Sequence, residues 1–119
     1  MMMQNTVLEV ERHEDCAVLR PHGYINGVAG EQIDAACSRL LGDGTAKIVI
    51  NFAHSETINT MGIANLVSVL EKVGRDHGAV CFSNLPTVSR RMLDVLDISR
   101  AVLIFDDELA ALKHLGAQG

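Results

Sequence analysis

The sequence predicts an α/β domain: a mixed β-sheet that opens with an N-terminal antiparallel hairpin, continues in alternating strands and helices, and carries about four packed helices. Three observations lead there. Two short strand-like segments, the first alternating apolar and polar residues, flank a polar turn near the start. Two aliphatic runs, at 47–52 and 79–82, are nearly unbroken, as strands covered on both faces are. Between and after them, apolar residues recur at helical spacing.

Val7-Leu8-Glu9-Val10-Glu11 alternates, His13-Glu14-Asp15 turns, and Cys16-Ala17-Val18-Leu19-Arg20-Pro21 returns. Pro21 lacks a ladder donor, so it is expected at that strand's end or at an edge. Gly23, Gly27 and Gly30 are read as a loop before a helix at about 31–41, whose Ile33, Ala36, Cys37, Leu40 and Leu41 share a face. Gly42-Asp43-Gly44 ends it. After the strand at 47–52 comes the best-formed helix, about 60–77. Ile63, Leu66, Val67, Leu70 and Val73 form its inner stripe, and Asn65, Ser68, Lys72 and Arg75 face out. A strand at 79–82, a helix begun by Leu85-Pro86-Thr87 and reaching about Leu96, a strand at 101–105 and a terminal helix with Leu109, Leu112 and Leu115 complete the order β-β-α-β-α-β-α-β-α. Acids at Asp106, Asp107 and Glu108 suit that last helix's first turn.

The 119 residues are read as one domain, 1–119, without repeats or linkers. Hydrophobic residues make up 48% but aromatics only 3%, so the core is aliphatic. A net charge of −5 with scattered Lys and Arg argues against a nucleic-acid surface. Three cysteines (Cys16, Cys37, Cys81) without CxxC spacing point to a reducing compartment and no disulfide framework. The N-terminus lacks signal-peptide character, and the apolar runs fall well short of a membrane span, so a cytoplasmic protein with no direct membrane insertion is expected.

The constellations of catalysis are missing from the pattern. Gly23, Gly27 and Gly30 match neither dinucleotide nor P-loop spacing and are taken as turn formers. His13, His22, His54, His77 and His114 are dispersed, with no i, i+4 metal pair; His54 is read as a solvated loop residue. The thiols sit inside predicted elements, where cysteine packs as a small hydrophobe. Cys81, near a strand end, is the one that exposure would make reactive. Asp94 and Asp97 are read as solvating a helix end. No enzyme, metal or cofactor is expected.

One segment stands apart. Ile48-Val49-Ile50-Asn51-Phe52 reads as a strand, and after a short loop Ile58-Asn59-Thr60-Met61-Gly62-Ile63 opens the long helix. A helix start has free N–H groups and a partial positive charge, so a hydroxyl there is placed to carry phosphate or face a partner. On the residues alone, Asn59 could equally be an N-cap with no other role.

Over nearly its whole length the chain resembles the STAS domain, the fold of bacterial anti-sigma factor antagonists. The likeness rests on Pro21-His22-Gly23-Tyr24-Ile25 closing the hairpin, on the strand and helix start just quoted, and on the tail from Gly78 through the terminal helix. That family shows an apolar strand ending in Asp-Leu or Asp-Phe, then [IM]-Asp-Ser-[ST]-Gly-[LI]. This chain departs from it at the motif positions Asn51 and Asn59, where the family has aspartates, and at Met61 in place of a second small hydroxyl residue. Both asparagines would remove negative charge beside Thr60.

The resemblance implies a regulatory protein-binding module, an anti-sigma factor antagonist in transcription regulation, that binds an anti-sigma factor serine/threonine kinase and is switched by phosphorylation at Thr60. A serine phosphatase would reset it, and a homodimer is a further expected assembly. The implied contact surface is Asn59, Thr60, Met61, Gly62, Ala64, Asn65 and Ser68. The alternative is a non-switching STAS subunit of a stressosome or of a lipid-transport ABC system. Some STAS relatives bind nucleotides or lipids, so ligand sensing stands as a third class.

Overall fold

In the computed structural model, residues 7–116 are described. They form β1 (Val7–Arg12), β2 (Cys16–Ile25), α1 (Gly27–Gly42), β3 (Lys47–Asn51), β4 (Ser55–Ile58), α2 (Thr60–Arg75), β5 (Ala79–Ser83), α3 (Thr87–Val95), a 3-10 turn (Ile98–Arg100), β6 (Leu103–Phe105) and α4 (Glu108–His114). The strand order is β1-β2-β3-β5-β6, with β4 beside β2. Only β1–β2 is antiparallel; the other pairs are parallel. This is the mixed α/β architecture with an N-terminal hairpin that the sequence predicts.

The alternation along β3 divides the core. Ile48, Ile50 and Phe52 join Ile33 and Leu40 of α1, Leu66 and Val69 of α2, and Leu93 of α3 in the larger cluster. Val49 points to the other face with Val18 and Cys81, against Ala111 and Leu115 around α4. Both faces of β3 are therefore covered, which is why its sequence is an unbroken apolar run. Each fully buried Ile, Leu or Phe contributes about 1.5–3 kcal/mol.

Several boundaries differ from expectation. Pro21 neither ends its strand nor lies on an edge: β2 runs ten residues, through Pro21 to Ile25. Opposite β1, β2 pairs with β3 as far as Leu19↔Ile50 and with β4 from Gly23↔Ser55, so Pro21 falls where β2 changes neighbours. A missing donor costs least there. The stretch read as a plain loop contains β4.

Gly27 and Gly30 lie inside α1, which starts four residues before the expected Glu31, capped by Asn26, whose Oδ1 accepts from Ala29 N–H at 3.0 Å. Gly30 is a close-packing residue: a Cβ there would stand 2.7 Å from the Cβ of Asn65 on α2. The last strand is only Leu103–Phe105, because residues 98–100 coil into the 3-10 turn after Asp97 adopts left-handed φ. In α2, Val69 is fully buried while Val67 and Leu70 are half-buried, and the helix ends at Arg75, two residues short of His77. In α4, Leu109 is exposed, while Leu115 at its C-cap is buried.

Candidate functional site

The start of α2 sits at the end of β2, held largely by backbone. Asn59 N–H donates to Ile25 O at 3.0 Å. The Asn59 side chain caps the helix, its Oδ1 accepting from Gly62 N–H at 2.8 Å. Gly62 is required: a Cβ would lie 2.4 Å from Ile25 O, a contact no side chain tolerates. Beside it starts α1, and a Cβ on Gly27 would be 3.3 Å from Met61 Cβ. Two asparagine-capped helices thus begin side by side. Asn26 was missed in the sequence because Gly27 and Gly30 looked like loop; the spacing from Asn26 to Ala29 was the available cap signal.

On this seat Thr60 and Met61 are exposed, Met61 by 58%. The first turn carries no acidic residue, so the dipole there favours an added anion unopposed within the turn. Of the other expected contact residues, Ala64 is exposed and Gly62 buried. Asn65 and Ser68 do not face outward as expected. Asn65 packs over Gly30 and donates to Met61 O at 3.0 Å, and Ser68 Oγ donates to Asp34 of α1 at 3.3 Å. Lys72 likewise pairs with Asp34 and donates to Ser38 Oγ at 2.6 Å. These polar groups lie at the α1–α2 seam because the two helices approach so closely.

Asn51 makes its side-chain bonds away from the α2 turn. By strand alternation it faces α4, on the side of the sheet opposite α2, and it is only 7% exposed. Its Nδ2 donates to Glu108 Oε1 at 2.8 Å, and its Oδ1 accepts from Ala53 N–H at 2.8 Å. Arg20 holds Glu108 with two bonds of 2.9 Å and reaches Glu11 at 2.7 Å. The Arg20 hydrogen bonds, helped by Asn51, keep the Glu108 carboxyl below its ordinary range despite partial burial. The Glu108 bond pushes the Arg20 guanidinium up in turn. Asparagine is thus the residue this network needs, since an amide can donate to Glu108 and a carboxylate cannot.

Elsewhere the chemistry is quiet. His54 is exposed, as expected of a loop residue, and its ring stacks on His22 at 4.7 Å. Cys81 is buried, not exposed at its strand end, because α4 covers that face. Burial pushes all three thiols up, Cys37 to about 12, so none is poised as a thiolate. Asp94 approaches Arg90 at 3.9 Å, and Asp97 approaches Arg100 at 3.5 Å. Among the described residues no three His, Cys, Asp or Glu gather to hold a metal, and no helix is long and apolar enough to cross a membrane.

One feature has no sequence forerunner. An open groove of about 570 Å³ runs between α2 and α3, with Thr60 and Ile63 on one wall and Val88, Arg91, Met92 and Val95 on the other. Val88 and Val95 are exposed, Val95 by 83%.

The STAS domain model matches residues 7–111. The chain belongs to the STAS domain family. Solved structures agree on the fold. A putative anti-sigma factor antagonist from Thermotoga maritima is 18% identical, covers 92% of this chain and 94% of its own, and superposes with a TM-score of 0.85. An anti-sigma factor antagonist from Mycobacterium paratuberculosis is 20% identical over 94% and 95% of the two chains, TM-score 0.82. The Bacillus cell fate determinant SpoIIAA, in its phosphorylated form, is 18% identical over 91% and 98%, TM-score 0.73. No curated protein matches the chain. At these identities the likeness establishes the STAS fold, shared with anti-sigma factor antagonists.

Proposed function

We propose that this STAS domain is a regulatory protein-binding module, an anti-sigma factor antagonist whose contact surface centres on the first turn of α2 and whose switch is phosphorylation of Thr60. The observation that carries the reading is an exposed hydroxyl on a turn rigidly seated by Asn59 and Gly62. Phosphate would add about −1.5 to −2 charges at neutral pH. A turn free of acids accommodates that within the domain, whereas a partner apposed to a formerly neutral surface must desolvate the new charge. The kinase is then an anti-sigma factor that binds the unmodified form, and a phosphatase restores it. Thr60, Met61 and Ala64 form the accessible footprint, while Asn59 and Gly62 shape it from below.

The test uses wild-type, Thr60→Ala and Thr60→Glu baits in native lysate, with mass spectrometry of both bait and prey. Recovery of an ATP-dependent kinase on the wild type and Thr60→Ala but not on Thr60→Glu, with phosphate on wild-type Thr60, supports the switch. Equal recovery on all three baits with Thr60 unmodified overturns it. The second reading is a standing subunit of a stressosome or a lipid-transport ABC system. It is favoured by the exposed apolar side chains along α3, which suit a permanent interface; equal recovery of such partners by all three baits would support it.

A further inference from the structure

Among the described residues, Arg91 is the only charged side chain lining the groove between α2 and α3. It lies on α3 between Val88 and Val95, at spacings of three and four residues, so all three share one helix face. Its neighbour Arg90 is already engaged with Asp94 one turn on. Arg91 itself forms no ion pair among the described residues and is exposed. Across the groove stands Thr60, also exposed, the sole hydroxyl in the lining among the described residues. The unmodified groove therefore holds a cation over apolar walls, with no anion among the described residues to meet it.

We propose that Arg91 is the receptor for a phosphate on Thr60, pairing with it across the groove and closing the mouth between α2 and α3. The guanidinium fork suits phosphate because it donates two parallel hydrogen bonds. Modification would then act twice. It adds charge to the α2 turn, and it withdraws the one cation, together with the apolar walls beneath it, from anything seated in the groove. This rests on Thr60 as the phosphorylation site, but it concerns what the phosphate does once present.

The two questions separate if phosphothreonine is installed at position 60 by chemical ligation or genetic encoding, so that no kinase is needed. The second ionisation of the phosphate, ordinarily near 6, is followed by phosphorus NMR against pH in the wild type, Arg91→Gln and Arg90→Gln. The expected result is a wild-type midpoint at least about half a unit below that of Arg91→Gln, since a nearby cation favours the dianion. Arg90→Gln should titrate like the wild type. The Arg91 difference should shrink as NaCl rises from about 50 mM to about 0.5 M, as for a partly exposed pair. Identical midpoints in wild type and Arg91→Gln overturn the pairing, as does an equal effect of Arg90→Gln, which would reveal only a general positive field. Thermal melts of the variants exclude unfolding as the cause. Failure here leaves Thr60 phosphorylation intact, and failure of the kinase test leaves this result standing.

Discussion

Asn51→Asp restores the residue that the family motif favours and, by the structure, should damage the protein. The side chain is 7% exposed and its amide donates to Glu108 at 2.8 Å. A carboxyl there has two options. If both acids stay ionised, like charges about 4 Å apart at an effective dielectric near 20 cost roughly 4 kcal/mol. If one takes a proton, the hydrogen bond survives, but protonation costs about 1.4 kcal/mol per pH unit above an ordinary carboxyl pKa near 4, hence roughly 1.4 at pH 5 and about 5 at pH 8. The cheaper option prevails at each pH. Allowing for Arg20, whose charge offsets part of the repulsion, the loss is about 1 kcal/mol at pH 5 and about 3 kcal/mol at pH 8. The sign follows from linkage. The pair's folded pKa is raised, so the native state holds a proton the unfolded chain has lost, and the penalty grows with pH from about 4 until the raised pKa is passed. At pH 8 the melting temperature should fall by about 10 °C. Urea titrations of wild type and variant at both pH values measure it, and adding Glu108→Gln should recover more than half of the pH 8 loss. A variant as stable as the wild type at pH 8, or a deficit that does not change between pH 5 and 8, would refute the reasoning.

Gly62→Ala, which would place a Cβ 2.4 Å from Ile25 O, should cost more than about 2 kcal/mol in denaturant titration and shift amide signals at both helix starts. Asn59→Ala removes the cap bond to Gly62 and should cost about 1 kcal/mol, whereas Asn59→Asp should be neutral or stabilising. Because Glu108 has a lowered folded pKa, its stabilisation is present above its unfolded value near 4.5 and is lost as pH falls through the folded one. Glu108→Gln should therefore flatten the acid limb of the stability profile, measured by thermal melts between about pH 5 and 2.

What the sequence could reveal followed from periodicity. The hairpin, β3, α2 and the order of the elements other than β4 were legible because alternation and helical spacing reflect burial on a local scale. Three features were not, each for a long-range reason. The glycines at 27 and 30 looked like loop because nothing local shows that α1 must approach Asn65 within van der Waals distance. β4 is four residues long, and only its neighbour β2 makes it a strand. Asn51 was assigned to the Thr60 neighbourhood by its place in the motif, yet the alternation along β3 turns its side chain to the face that α4 covers, opposite α2. The partner of Asn51 is 57 residues away. The geometry of the candidate site was half visible: Thr60 and Met61 as exposed and Asn59 as a cap were readable from the helix start, while the groove opposite needs α3 in place.

The seat under Thr60 is made of the Ile25 carbonyl, two asparagine caps and close-packed glycines, whereas the side chains around it that meet solvent are Tyr24, Val28 and Met61. On the proposed reading, folding and recognition would thus draw on different atoms. Exposed positions of this kind change at little cost to stability, so substitutions on this surface would alter what it presents to a partner while leaving the scaffold beneath it intact.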